Sequence, residues 1–120
     1  MSNNYIQPGN VIDYTAGSDI ASGDVVVIGN MLGVAKTDIA TGETGSVQIT
    51  GVFKCPKVSA AVIAQGESLT WDVSAGAFDD NAATPASGDV TGPPAVAFAA
   101  AGNGDTTLLV KFTGVPGTVT

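Results

Sequence analysis

The chain has 120 residues, 44% hydrophobic and only 12% charged, and eleven acids against four lysines give a net charge of −7 with no Arg and no His. A chain of about this length makes one domain with a single core, and high hydrophobicity with few charges favours packing over disorder. Without His, neither a Ser-His-Asp triad nor a His-bearing zinc site can be built, and the lone Cys55 supplies neither a four-sulfur site nor an internal disulfide.

The same arithmetic disfavours nucleic acid and membrane. Lys36, Lys54, Lys57 and Lys111 are too few to track a phosphate backbone. The longest apolar run, 95–101, falls far short of a bilayer span. Met1-Ser2-Asn3-Asn4 lacks the basic-then-apolar pattern of a signal peptide, so the expectation is a soluble protein made in a cytoplasm.

In chain order, residues 1–10 read as an N-terminal arm, rich in Asn, closed by Pro8-Gly9, with Tyr5 and Ile6 as its large apolar groups. Such a segment gains little by folding on its own domain and calls for something to hold it. Residues 11–120 read as a single β domain. Strands are predicted at 11–14, at 25–28 with a return at 32–35 across Gly29-Asn30, and at 47–53, 69–73, 95–99 and 107–113. Asn103-Gly104 signals a hairpin between the last two, because both residue types tolerate positive φ. Residues 74–94 form the least regular stretch, carrying Asp79-Asp80-Asn81, Ser87-Gly88-Asp89 and Gly92-Pro93-Pro94, with a short strand at 89–91. No window sustains helical spacing.

A short repeat punctuates the chain: Ile20-Ala21-Ser22-Gly23-Asp24, Ile39-Ala40-Thr41-Gly42-Glu43 and Ile63-Ala64-Gln65-Gly66-Glu67. Each reads as a turn in which Ile anchors in the core, Gly23, Gly42 or Gly66 takes a conformation that a Cβ would penalise, and the acid faces water. The unequal spacing excludes a solenoid and favours a reused corner of a barrel or sandwich.

The residues that could carry chemistry read as structural. Asp72, Asp79 and Asp80 invite a glycosidase pair or a calcium site, but they miss the alternating acids, central Gly and terminal Glu of a calcium loop, and solvated turns explain them. Cys55 has a Lys two residues distant and another adjacent, yet no His to pair with, and reads as an apolar filler. No Gly-rich loop runs into Lys-Ser or Lys-Thr. No catalytic residue, metal ligand or cofactor is expected, and the chain does not read as an enzyme.

Taken together, Tyr5-Ile6-Gln7-Pro8-Gly9, Ile12-Asp13-Tyr14, Gly23-Asp24-Val25-Val26, Gly33-Val34-Ala35, Asp38-Ile39-Ala40, Gly42-Glu43-Thr44-Gly45, Gly51-Val52-Phe53, Pro56-Lys57, Leu69, Trp71-Asp72, Gly76 and Val110-Lys111-Phe112 resemble, in order, the small capsid decoration or cement proteins of tailed bacteriophages. Members of that family sometimes carry a recombinase-like label, which the missing phosphate loop, the absent Arg and the −7 charge do not support. The resemblance implies an all-β fold, a compact β-barrel or jelly-roll-like sandwich of short strands with an extended N-terminal arm. It implies binding to the outer surface of the expanded capsid in the virion, bridging of major capsid protein subunits, and a homo-oligomer, with a trimer favoured and a dimer as the alternative. The arm residues Asn4, Tyr5, Ile6, Gln7 and Pro8 are the expected capsid contacts. A surface-adhesion or carbohydrate-binding module, using the 74–94 loop, is the competing class; its weakness is that Trp71, the one Trp available to stack a sugar, falls in a predicted strand.

Overall fold

A computed structural model describes Asn4 and residues 6–120. Among these residues there are eleven strands and no helix. They are β1 (Val11–Thr15), β2 (Val25–Ile28), β3 (Met31–Ala35), β4 (Thr44–Gln48), β5 (Thr50–Pro56), β6 (Thr70–Asp72), β7 (Ala77–Asp79), β8 (Val90–Thr91), β9 (Ala95–Ala97), β10 (Thr107–Thr113) and β11 (Thr118–Val119). The expected all-β fold is observed. Every pairing between these strands is antiparallel, in three sheets ordered β1-β4-β3-β2, β5-β10-β9 and β11-β8-β6-β7.

The second and third sheets join on both sides. Ser68 pairs with Val96, so the segment entering β6 lies against β9, and Lys57 pairs in parallel with Phe78, so the end of β5 lies against β7. The strands β5, β10, β9, β6 and β7 therefore form a curled ring. Its interior is filled by alternate residues: Leu108, Val110 and Phe112 of β10 are buried while Thr107, Leu109 and Lys111 between them are exposed, the period-two signature of a strand with one wet face. Trp71, Phe78, Phe112 and Phe53 run through this core in successive edge-to-face contacts, with ring centroids 4.8, 6.1 and 5.8 Å apart.

The first sheet caps the ring and holds a second, smaller core on its other face. Along β2 and β3, Val25, Val27, Leu32 and Val34 pack on the ring's core, whereas Val26, Ile28 and Ala35 pack with Ala16, Ile39, Val47 and Ile49. Gly33 is needed where β3 meets β4, because a Cβ there would stand 2.6 Å from Val47 Cγ1 and 2.8 Å from the Gln48 carbonyl oxygen. The predicted hairpin across Gly29-Asn30 is present, with Ile28 opposite Met31 and Gly29 at φ 58°.

Four expectations are corrected. The single strand predicted at 47–53 is two strands in different sheets, broken at Ile49, because the apolar run continues while its hydrogen-bonding partner changes from β1 and β3 to β10. The stretch 74–94 contains the expected short strand, β8, but also β7, whose Phe78 is wholly buried; a three-residue strand between Gly76 and Asp80 is too short for alternation to reveal. β9 and β10 pair antiparallel as the expected hairpin, but Asn103-Gly104 is not its tight two-residue loop: β9 ends at Ala97 and β10 starts at Thr107, and only Gly104 of the pair has positive φ. The strand β11 was not anticipated; it follows Gly117, whose missing side chain lets it approach the Thr91 carbonyl.

Lys57 is buried, and its Nζ donates to the carbonyl oxygens of Val58 at 2.9 Å, Ser59 at 3.2 Å and Asp105 at 3.2 Å. It ties the end of β5 to the turn before β10. Lys57→Met keeps the apolar stem and leaves three carbonyls without this donor, so the expected loss is on the order of 2–3 kcal/mol. A lower urea midpoint at unchanged slope is the expected readout.

Candidate functional site

Carboxylates in this structure close turns. Asp24, Glu43 and Glu67 of the repeat each donate a backbone N–H to the carbonyl three residues earlier, and Gly23, Gly42 and Gly66 stand at φ 89°, 84° and 86°. Positive φ at the third residue of a four-residue turn is the type II arrangement. Two further turns follow the same rule without the leading Ile-Ala: Ala86-Ser87-Gly88-Asp89 and Gly102-Asn103-Gly104-Asp105, with Gly88 at φ 89° and Gly104 at 98°. In three of the five the Asp carboxylate reaches back to the first residue's N–H: Asp24 to Ala21 at 3.0 Å, Asp89 to Ala86 and Asp105 to Gly102 at 2.9 Å.

The first two copies also clasp each other. Ile20 and Ile39 exchange backbone hydrogen bonds of 2.9 and 2.8 Å, the Asp19 carboxylate accepts from the Thr41 N–H and hydroxyl, and Asp38 accepts from the Ser22 N–H. Those two bonds from Thr41, the backbone one foremost, hold Asp19 below the usual carboxylate range. The clasp closes the small core over Ile39. The third copy has Val62 where the others have Asp, and its Ile63 pairs with Ala101 instead.

The other candidate groups are similarly engaged. Asp72 accepts from the Ser74 hydroxyl and from the N–H groups of Ser74 and Ala75, which lowers its pKa, the Ser74 hydroxyl acting most strongly. Asp79 and Asp80 accept from the N–H of Asp80 and Ala82. No group of three or more metal-ligating side chains is assembled among the described residues. Trp71 is 7% exposed and packs on Phe78, so it offers no sugar platform.

At the N-terminal segment, Asn4 lies exposed in a turn, Ile6 is 86% exposed, and Gln7 and Pro8 are exposed; Tyr5 lies outside the described residues. Gln7 Nε2 donates to the Val11 carbonyl at 2.9 Å and the Ile49 N–H donates to the Asn10 carbonyl at 2.9 Å, which fix where the segment leaves the domain. It leaves beside β1, an edge of its sheet. A cleft of about 380 Å³ opens there, lined by Gln7, Pro8, Asn10, Val11, Asp13 and Ser46.

Sequence reasoning missed a second surface. On the outer face of β5-β10-β9, Lys111 stands opposite Val52 on one side and Val96 on the other, and Leu109 stands opposite Lys54. Phe98 joins them by donating its N–H to the Leu109 carbonyl at 3.0 Å. Val52, Phe98 and Leu109 are between 41% and 48% exposed. The signal was Leu109, an apolar residue at an outward position of an otherwise alternating strand.

Cys55, 2% exposed in the ring core, has its thiol pushed up to about 12 by burial, from an ordinary 9.0. It is expected to resist alkylation at pH 8 until the protein unfolds. Because the folded state holds this proton more tightly, the associated stability is complete below pH 9 and falls as pH rises toward 12, by up to about 1.4 kcal/mol per pH unit. Denaturant titrations of wild type and Cys55→Ala across that range are expected to differ in slope accordingly.

Against curated proteins the chain finds no match. A family model described as "Phage cement protein" matches residues 6–112.

Proposed function

The chain belongs to the phage cement protein family, a capsid-associated structural role, and we propose that it binds the outer surface of the expanded capsid and stabilises it by bridging major capsid protein subunits. The observation that carries the contact is Ile6, 86% exposed on a segment that leaves the domain beside the edge strand β1. A large apolar side chain held in water next to a strand edge that no described strand pairs with suits pairing with a strand of another protein, in which main-chain bonds supply affinity and alternate side chains supply register. In this reading residues 1–10 are the arm, Asn4, Tyr5, Ile6, Gln7 and Pro8 contact the capsid, and Tyr5 and Ile6 are its anchors.

The mechanism is linkage. A protein that binds only the expanded lattice stabilises that state by mass action against the pressure of packaged DNA, and an oligomer that presents several arms multiplies weak contacts through effective concentration. A homotrimer is the favoured assembly and a dimer the alternative. The net charge of −7 keeps free oligomers apart in the host cytoplasm before they meet the shell. The adhesion alternative loses support from the burial of Trp71.

Removing residues 1–9 tests the arm. The truncated protein is expected to keep its melting transition and to lose at least about tenfold in affinity for expanded capsids, equivalent to 1.4 kcal/mol, measured by co-sedimentation. Unchanged binding would remove the arm from the mechanism.

A further inference from the structure

The sheet that carries the β1 edge has a second open edge at its far side, β2. Val26 pairs with Gly33 and Ile28 with Met31 across the tight turn, and the Asp24 carbonyl accepts from the Ala35 N–H at 2.9 Å, so these alternate residues turn their backbone groups toward β3. The N–H and carbonyl groups of Val25 and Val27 point the other way, and among the described residues nothing bonds to them. Within β2 no charge or proline hinders a further strand from pairing there. Clefts of about 420, 300 and 290 Å³ meet at this edge. Asp24 lines all three, Val25 and Trp71 line the second and third, and Val73, 46% exposed, joins them in the third. Asp19 lines two of the clefts, and no lysine lines any of them.

From this edge and its lining we infer that β2 accepts an extended segment of the major capsid protein as an added strand, with a lysine or arginine of that segment against Asp24 and Asp19. The inference rests on the capsid-binding reading and adds a second contact to the arm's. A strand laid antiparallel along β2 exchanges main-chain hydrogen bonds with Val25 and Val27, and its residues opposite them share their side of the sheet, toward the ring. Asp24 precedes Val25 directly and so stands at one end of the groove. One oxygen of Asp24 and one of Asp19 close turns, and each exposed carboxylate keeps a second oxygen for a cation. A second copy offers no extended segment with a basic side chain: residues 1–10 hold no Lys, Arg or His, Lys54 and Lys111 are fixed in β5 and β10, Lys57 is buried, and Lys36 donates to Gln48 Oε1. The edges β1 and β2 bound one four-stranded sheet, roughly 14 Å apart at about 4.8 Å per strand. A single sheet that takes one strand at each edge gives the bridging of two subunits a physical form.

Co-sedimentation of the full chain with expanded capsids tests it. Asp19→Asn/Asp24→Asn keeps the turn acceptors but removes the charge, Val73→Lys places a cation in the groove, and Asp80→Asn/Asp105→Asn is a control of equal charge change. Both groove variants are expected to keep the wild-type melting transition and to lose at least about tenfold in affinity at low salt, and the control to bind as the wild type does. Raising the salt should weaken the wild type more than Asp19→Asn/Asp24→Asn. In the wild type, hydrogen exchange at the Val25 and Val27 amides is expected to be fast in the free protein and to slow on the capsid. Groove variants that bind like the wild type, tighter binding by Asp19→Asn/Asp24→Asn because the acids guard the edge, or unslowed exchange at Val25 and Val27 would overturn the inference and leave the arm intact. Slow exchange at these two amides in free protein that self-associates would give the edge to a second copy and overturn it equally. A wild type that does not bind expanded capsids would overturn the proposed function together with this inference.

Discussion

The run from Thr44 to Pro56 must serve two cores with one face. Val47 and Ile49 fill the small core under the first sheet, and Phe53 and Cys55, the next inward positions but one, belong to the ring. Both edges of β4 are taken by β1 and β3 while β5 pairs with β10, so the chain changes sheets at Ile49, and Gly51 at φ 110° lets it bend. Both cores are thereby fixed to one another through covalent backbone, and β3, buried on both faces, lies between them. Which surfaces remain open follows from this: the β1 edge beside the N-terminal segment, and the outer face of β5-β10-β9.

The charge has a structural as well as a surface meaning. Eleven acids in a small chain suggested solvated turns or a cation site. Many of them are spent on the backbone, since turns with glycine at positive φ leave N–H groups that a carboxylate can satisfy, and Asp24, Asp89 and Asp105 do so identically. The paired clasp of Asp19 and Asp38 extends this across two copies of the repeat. Of these acids Asp19, Asp24, Asp38 and Asp105 are exposed and carry charge outward, while Asp89 is buried; against them a face with two lysines and no acid on its strands stands out.

Much of the fold was legible because it depends on local rules. The Val25–Ile28 strand with its Gly29-Asn30 turn and the Thr107–Thr113 strand declare themselves by β-branching and alternation. The Gly-acid turns were legible in three copies and hidden in two, because Ala86 and Gly102 lack the preceding isoleucine that marked the others. Phe78 was hidden for a different reason. Its strand is three residues long, and its burial comes from Trp71, Phe112 and the parallel pairing with Lys57, all distant in sequence. At the candidate site, the apolar character of Ile6 was readable directly, whereas its place beside an edge strand was not.

The sequence alone determined the class of the molecule. Absent His and Arg, a single Cys, short β-branched runs and glycine before acid point to an all-β protein that cannot build a Ser-His-Asp triad, a His-bearing zinc site or a four-sulfur site, because those are properties of residue type and nearest neighbours. The tertiary structure decided which strands are edges, that one apolar run crosses between sheets, and that Lys54, Lys111, Phe98 and Leu109 share one surface. Those depend on pairings between residues tens of positions apart, such as Leu109 with Lys54, and period-two alternation says which way a side chain points relative to its neighbours but not what lies opposite it.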